Sequence, residues 1–273
     1  MRHPLFCVLV LLLSACAGAP RANDNAAALQ SSLGPDIQTE DVTLFYRVYE
    51  AAAGRPSAEQ LQRDYLDAGS DGLRTFAAQR RTTAARIAEA IARQPETYES
   101  ARRCANVLPR VRERLRTSTR TLAELYPDAR LPPVTLAIGR GRPVAIGSPV
   151  TGLQIGVEAL CAADFLHADL EDRFVYVIAH EYAHVQQAPA LAERADLTVL
   201  ERSLLEGAAE FICELIAGDV AYAHLRTQTA GREAEIETSF VADMDRTDFS
   251  NWLDNTGSHP SPDLGYWVGY RIV

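Results

Sequence analysis

Apolar and polar positions alternate with two different periods along this chain, and the change of period divides it. In the first half the apolar residues recur at three- and four-residue steps, the spacing of one helix face. After Pro56, Ser57 to Gln60 has the spacing of a capping box ahead of Leu61, Tyr65 and Leu66. A second helix is expected from Leu73 to Ala92, anchored by Leu73, Phe76, Ala77, Ile87 and Ile91 and ending before Pro95. A third helical pattern runs from Tyr98 to Tyr126 with Leu108, Val111, Leu115, Leu122 and Leu125 on one stripe, and Pro109 should kink or split it. Between Leu131 and Val157 the pattern becomes short β-prone runs separated by glycines, which reads as two or three strands. Thr151 to Val157 is the candidate edge strand, able to pair with an extended peptide. Two helices follow that are apolar on most sides and therefore buried: one carrying Arg173 to Ala188, and one from about Leu197 to Ala217 that stops at Gly218. The expected fold class is α+β, mainly helical.

The chain starts differently. Met1 to Pro20 has a basic start at Arg2, an apolar run from Leu5 to Leu13 and then small residues, the layout of an export signal too short to span a bilayer. The run ends in Leu13-Ser14-Ala15-Cys16, which resembles the bacterial lipobox, so Cys16 is the expected lipidated first residue of the mature protein. Ala17 after it, by resemblance to Gram-negative lipoproteins, implies an outer-membrane address facing the periplasm. The expected organisation is a signal over residues 1–15, a tether over 16–36, a helical region over 37–130 and a core over 131–273, the last two packed as one unit.

Composition narrows the partners. The formal net charge of -9 argues against nucleic acid, and all 27 basic residues are arginine. Arg110, Arg112, Arg114, Arg116 and Arg120 read as a solvated face of the third helix. The glycines of the strand region form no nucleotide fingerprint, and no lysine exists to complete a phosphate loop. With Cys7 in the signal and Cys16 lipidated, Cys104, Cys161 and Cys213 remain; buried free thiols are expected, with one disulfide as the alternative.

Chemistry concentrates in Ile178-Ala179-His180-Glu181-Tyr182-Ala183-His184-Val185. A helical step of four residues turns about 40° past a full circle and rises about 6 Å, so His180 and His184 share a face and both rings can reach one metal. Glu181 lies beside that face, where a carboxylate can act as general base on a water. The bland reading is a core helix whose histidines are merely hydrogen-bonded. A zinc site needs a third protein ligand. Leu204-Leu205-Glu206-Gly207-Ala208-Ala209-Glu210-Phe211 offers it on a helix whose Leu204, Leu205, Phe211, Ile212 and Leu215 mark it as buried. Glu206 is the expected zinc ligand and Glu210 the acceptor that orients a ligand histidine, with the exchanged roles as the alternative; Gly207 favours the first through the close helix approach it permits. For the donor that would meet a developing oxyanion, His224, His259, Tyr266 and Tyr270 are candidates, and Tyr266 is chosen because glycines flank it.

The HEYAHVQQ and LLEGAAEF segments resemble the gluzincin arrangement. Together with LYPDA, GLQIGVE and GYWVGYRIV, their order resembles a family of predicted zinc-dependent proteases related to the gliding-motility lipoprotein of Bacteroidetes, from about Val42 to Val273. The resemblance implies a zincin-like catalytic core, a zinc cofactor, a peptide or protein substrate and hydrolysis with Glu181 as base. That family usually continues beyond GYWVGYRIV, so a shortened last helix is expected. The competing function is an envelope or motility lipoprotein whose metal site is structural or serves binding without turnover.

Overall fold

The computed structural model describes residues 35–255 and 263–273; Cys16, the lipobox and His259 lie outside them. The fold is α+β and mainly helical, with one four-stranded sheet.

Four helices form the front: α1 (Glu40–Ala51), α2 (Ala58–Leu61), α3 (Asp71–Gln79) and α4 (Ala84–Arg93). Ser57 caps α2 as its spacing predicted, with Gln60 reaching back to the Ser57 amide at 2.9 Å. The single helix expected over 73–92 is instead α3 and α4. Thr83 turns extended and caps α4 by accepting from the Arg86 amide, while Arg81 takes a positive φ of 49°, so the apolar stripe passes through a corner that periodicity alone does not reveal. The third helical pattern splits near Pro109 as expected, into α5 (Pro95–Cys104), a short 3-10 turn, and α6 (Leu108–Leu125), with the proline in the first turn of α6 where its missing N–H costs nothing. Leu125 departs from the stripe: it is exposed in the last turn of α6.

The sheet comprises β1 (Ile37–Gln38), β2 (Val134–Ala137), β3 (Ala145–Ser148) and β4 (Gly152–Gly156), in the order β1-β2-β4-β3. β1 and β4 run parallel to β2, and β3 returns antiparallel along β4. This corrects the edge assignment: β4 is interior and the edges are β1 and β3, because the turn at Gly152, with φ 78°, folds β3 back along the open side of β4. The front is tied to the sheet by tyrosines. Tyr65 donates to the Ile138 carbonyl and accepts from the Ile138 amide, both at 2.8 Å, and Tyr98 donates to the Gly139 carbonyl. Phe45, Tyr65, Phe76 and Tyr98 are fully buried behind these contacts.

Next come α7 (Val157–Ala162), the long helix α8 (Leu170–Gln186), the short α9 (Pro189–Ala192) and α10 (Val199–Ala217). Asp169 caps α8, and Arg110 and Arg114 of α6 pair with Glu171 and Asp172 in its first turn. Arg110 keeps the solvated face expected of it while pairing, and Arg114 is drawn partly inward; the unsatisfied N–H groups and the dipole of α8 draw carboxylates to its start, and the carboxylates draw the arginines. Cys104 and Cys161 form a disulfide linking α5 to α7, with Cα atoms 6.2 Å apart, and only Cys213 among the described residues is a free, buried thiol. The expectation of free thiols fails for the first two because α5 packs directly on α7, a tertiary contact that spacing along the chain does not report.

Thr198 and Glu201 form a capping box on α10, and Gly218, at φ 95°, ends it. Of the five apolar residues expected to mark this helix as buried, Leu205 is buried, Leu204, Phe211 and Ile212 are partly buried, and Leu215 is half exposed. The remaining helices are α11 (His224–Thr229), α12 (Glu233–Asp243) and α13 (Leu264–Ile272). They gather a smaller apolar cluster around Val199, Leu225, Ile236, Phe240, Trp252 and Val268. α13 crosses α10 backbone to backbone: a Cβ on Gly207 would meet Gly269 at 2.0 Å, and one on Gly269 would meet the Ser203 carbonyl at 1.7 Å. Gly207 thus does permit close approach, of α13, whose Tyr266 it brings toward the histidines.

This crossing has no room for a methyl group. Gly269→Ala is expected to destabilise the fold by about 1–3 kcal/mol, the range for overpacked contacts. A urea denaturation midpoint equal to that of the unaltered protein would show that the two backbones are not in contact.

Candidate metal centre

The site lies where α8, α10 and α13 meet beneath β3. His180 and His184 project from one face of α8, and Glu206 faces them from α10. All three are buried, and their ligand atoms lie within 4.8 Å of one another, forming a group that could hold a metal ion. The His184 Nε2 is 3.0 Å from His180 Nε2 and 2.9 Å from Glu206 Oε2, and His180 Nε2 is 3.4 Å from the same oxygen. Donors around a tetrahedral zinc with bonds of about 2.1 Å stand about 3.4 Å apart. The three atoms therefore approximate one face of such a tetrahedron, and two imidazoles with a carboxylate are a donor set that zinc accepts.

Neighbouring acceptors assign the ring protons away from this face. His184 Nδ1 is 2.9 Å from Gln187 Oε1, and the Gln187 amide nitrogen donates to the Leu205 carbonyl, which fixes its oxygen toward the ring. His180 Nδ1 is 2.6 Å from Glu210 Oε1, although the approach is out of line for a straight hydrogen bond. Glu210 Oε2 accepts from the Tyr222 amide at 3.1 Å. Each neutral ring consequently turns a lone pair on Nε2 toward Glu206 Oε2. Three lone-pair donors converge in a water-poor space, an arrangement that demands a cation.

Without a metal the cation is a proton. Burial alone would lower the His180 pKa, yet Glu210, Glu206 and Glu181 outweigh it and push it up to about 10. His184 is displaced in the same direction, against burial, chiefly by Glu206. Burial would also raise Glu206, but Arg202, with Nη2 at 2.8 Å from Glu206 Oε1, and the two imidazoles hold it well below the ordinary carboxylate range.

Glu181 sits one residue round from His180, only partly buried, against β3: a Cβ on Gly147 would meet the Glu181 carbonyl oxygen at 2.4 Å and its carboxylate at 2.7 Å. Burial raises its pKa, with His180 and His184 pulling the other way. A raised carboxyl is suited to taking and returning a proton near neutrality. Tyr266 of α13 places its ring centroid 5.9 Å from that of His180 and stacks on Tyr222 at 3.9 Å. Of the other oxyanion candidates, Tyr270 turns away to donate to Glu214, and His224 packs edge-on against Phe165.

The structure thus brings His180, Glu181, His184, Glu206, Glu210 and Tyr266 into one locality. Sequence reading overlooked Arg202, Gln187, Tyr222 and Gly147. Arg202 carried a legible signal, since it precedes Glu206 by one helical turn. Gln187 lies within the quoted HEYAHVQQ segment and pairs with its own helix. Gly147 and Tyr222 come from other elements and gave none.

His180 binds its proton more tightly folded than unfolded, so its contribution to metal-free stability is complete below pH 6.5 and is lost as pH rises to about 10. A metal must displace that proton. Zinc binding at pH 7 is therefore expected to release about one proton or more, and affinity should increase with pH up to about 10. Calorimetric titration in buffers of different ionisation enthalpy measures this; an enthalpy independent of buffer would contradict it.

Residues 162–273, which contain every residue of this cluster, match a family model described as "Predicted Zn-dependent protease". No curated protein and no solved structure matches the chain.

Proposed function

We propose that the protein is a zinc-dependent peptidase, with His180, His184 and Glu206 as the metal ligands and Glu181 as general base. The observation that carries this reading is the convergence of two Nε2 lone pairs and one carboxylate oxygen beside a separate carboxylate that is not part of the cluster. A structural metal site has no need of that fourth group. The family match supports the same class of activity.

Zinc held there would polarise a scissile carbonyl and acidify a water. Glu181, from its place against β3, takes the proton of the attacking water and returns it to the leaving amine, which its raised pKa favours. Glu210 and Gln187 keep the two rings turned so that Nε2 faces the cluster. Tyr266, beside the His180 ring, is the hydroxyl assigned to the oxyanion, with Tyr222 stacked behind it. β3, as the sheet edge above α8, is the strand along which an extended peptide substrate would align.

We place the enzyme outside the inner membrane, anchored through lipid on Cys16 and held by the tether of residues 16–36, with an outer-membrane address facing the periplasm. The Cys104–Cys161 disulfide supports an oxidising compartment. Among the described residues no helix is long and apolar enough to cross a membrane.

Two measurements test these assignments. Glu181→Gln should keep zinc at wild-type stoichiometry while peptide-library turnover falls by roughly 100- to 10,000-fold, the span of general acid–base contributions; unreduced turnover would remove Glu181 from the mechanism. Cys16→Ser should shift the protein from the membrane to the soluble fraction and alter the mature mass. An unchanged partition and mass would refute the lipid anchor.

A further inference from the structure

We propose that Arg202 is a positioning residue of the metal centre: by holding Glu206 Oε1 it commits that carboxylate to present one oxygen, Oε2, to a cation shared with His180 and His184. The inference rests on the zinc reading above and extends it to a residue outside the ligand set.

The geometry divides the two oxygens of Glu206 cleanly. Oε2 lies 2.9 and 3.4 Å from the two histidine Nε2 atoms, whereas Oε1 lies 2.8 Å from Arg202 Nη2. Arg202 and Glu206 are one turn apart on α10, so the helix itself sets their separation and the pair forms without recruiting a loop. Glu206 is buried, and a tilt that swung Oε1 toward the histidines would break its charge-assisted bond to Arg202. A carboxylate with both oxygens free can bind a metal through either or both; one with an occupied Oε1 cannot, and a coordination position stays open for water or substrate.

Charge argues the same way. Three carboxylates, Glu181, Glu206 and Glu210, surround the two imidazoles. A dication and one guanidinium balance them, and apart from the two imidazoles Arg202 is the cationic side chain seen paired with the three among the described residues. The Arg202 side chain is about a quarter exposed, so most of it, like the carboxylate it holds, is screened from solvent. A planar fork suits this task better than an ammonium, since it can keep one nitrogen on Oε1 with its orientation fixed.

The test uses the full chain and four proteins: unaltered, Arg202→Ala, Arg202→Lys and His180→Ala. Zinc affinity is read by competition with a chromogenic chelator, and coordination by the visible absorption of the cobalt(II)-loaded protein. Arg202→Ala should bind zinc about 10- to 100-fold more weakly, the range for residues that orient a ligand. Its cobalt bands should change in intensity and position as the second carboxylate oxygen becomes available, and added methylguanidinium should restore part of both. Wild-type affinity and spectrum in Arg202→Ala overturn the proposal, as does weakened affinity with an unaltered spectrum and no rescue. Should Arg202→Ala fail to fold by circular dichroism, Arg202→Lys decides: intermediate affinity with altered bands supports the role, and values equal to wild type refute it. If the unaltered protein and His180→Ala hold equally little metal, the zinc reading itself fails, and this inference with it.

Discussion

Two buried imidazole nitrogens and a buried carboxylate oxygen pointing at one another across about 3 Å cannot persist without positive charge between them. This requirement organises the second half of the molecule. It explains why α8 and α10 pack with polar faces together although both are otherwise apolar, and why the metal-free rings hold protons so tightly. Each surrounding contact meets part of the same demand: Gln187 and Glu210 take the protons on the far side of the rings, Arg202 occupies the spare oxygen, and Tyr222 supplies its backbone amide to Glu210.

The front half meets a different demand, that of holding the sheet edge over α8 at a fixed height. Tyr65 and Tyr98 fasten the end of β2, and the buried Glu158 accepts from the Gly141 amide in the loop that follows. Gln186 bridges both sides of Arg130, accepting from its amide and donating to its carbonyl, so the end of α8 is tied to the segment that enters β2. Two adjacent glutamines thus serve opposite walls of the cleft, Gln186 the strand side and Gln187 the metal side. The clearance at Gly147 shows how little slack this leaves, since any side chain there would displace the Glu181 backbone.

Sequence periodicity revealed what depends on local geometry: the mainly helical α+β class, the break near Pro109, the cap at Ser57, the end of α10 at Gly218, and the shared faces of His180 with His184 and of Glu206 with Glu210. It failed where the answer depends on which elements meet. The strand order, the edge status of β3 and the Cys104–Cys161 pairing follow from contacts between segments far apart in sequence. The corner between α3 and α4 was hidden because an apolar stripe can continue through a break when both pieces rest on one core. Exposed Leu125 and Leu215 show the converse: a residue can fit a helical stripe and still find no neighbour.

The backbone contact between Gly207 and Gly269 also bears on how the parts of the site are tied together. His180, His184 and Glu206 lie close in sequence, so the loop that joins them is short and its closure entropy modest. Tyr266 arrives only when a helix much later in the chain seats itself in a groove shaped by the absence of side chains. Leu264 and Val268 of that helix join the apolar cluster around Val199, so its burial and its registration against α10 are set together. A slip between the two helices would therefore carry the aromatic wall away from the His180 ring as one piece.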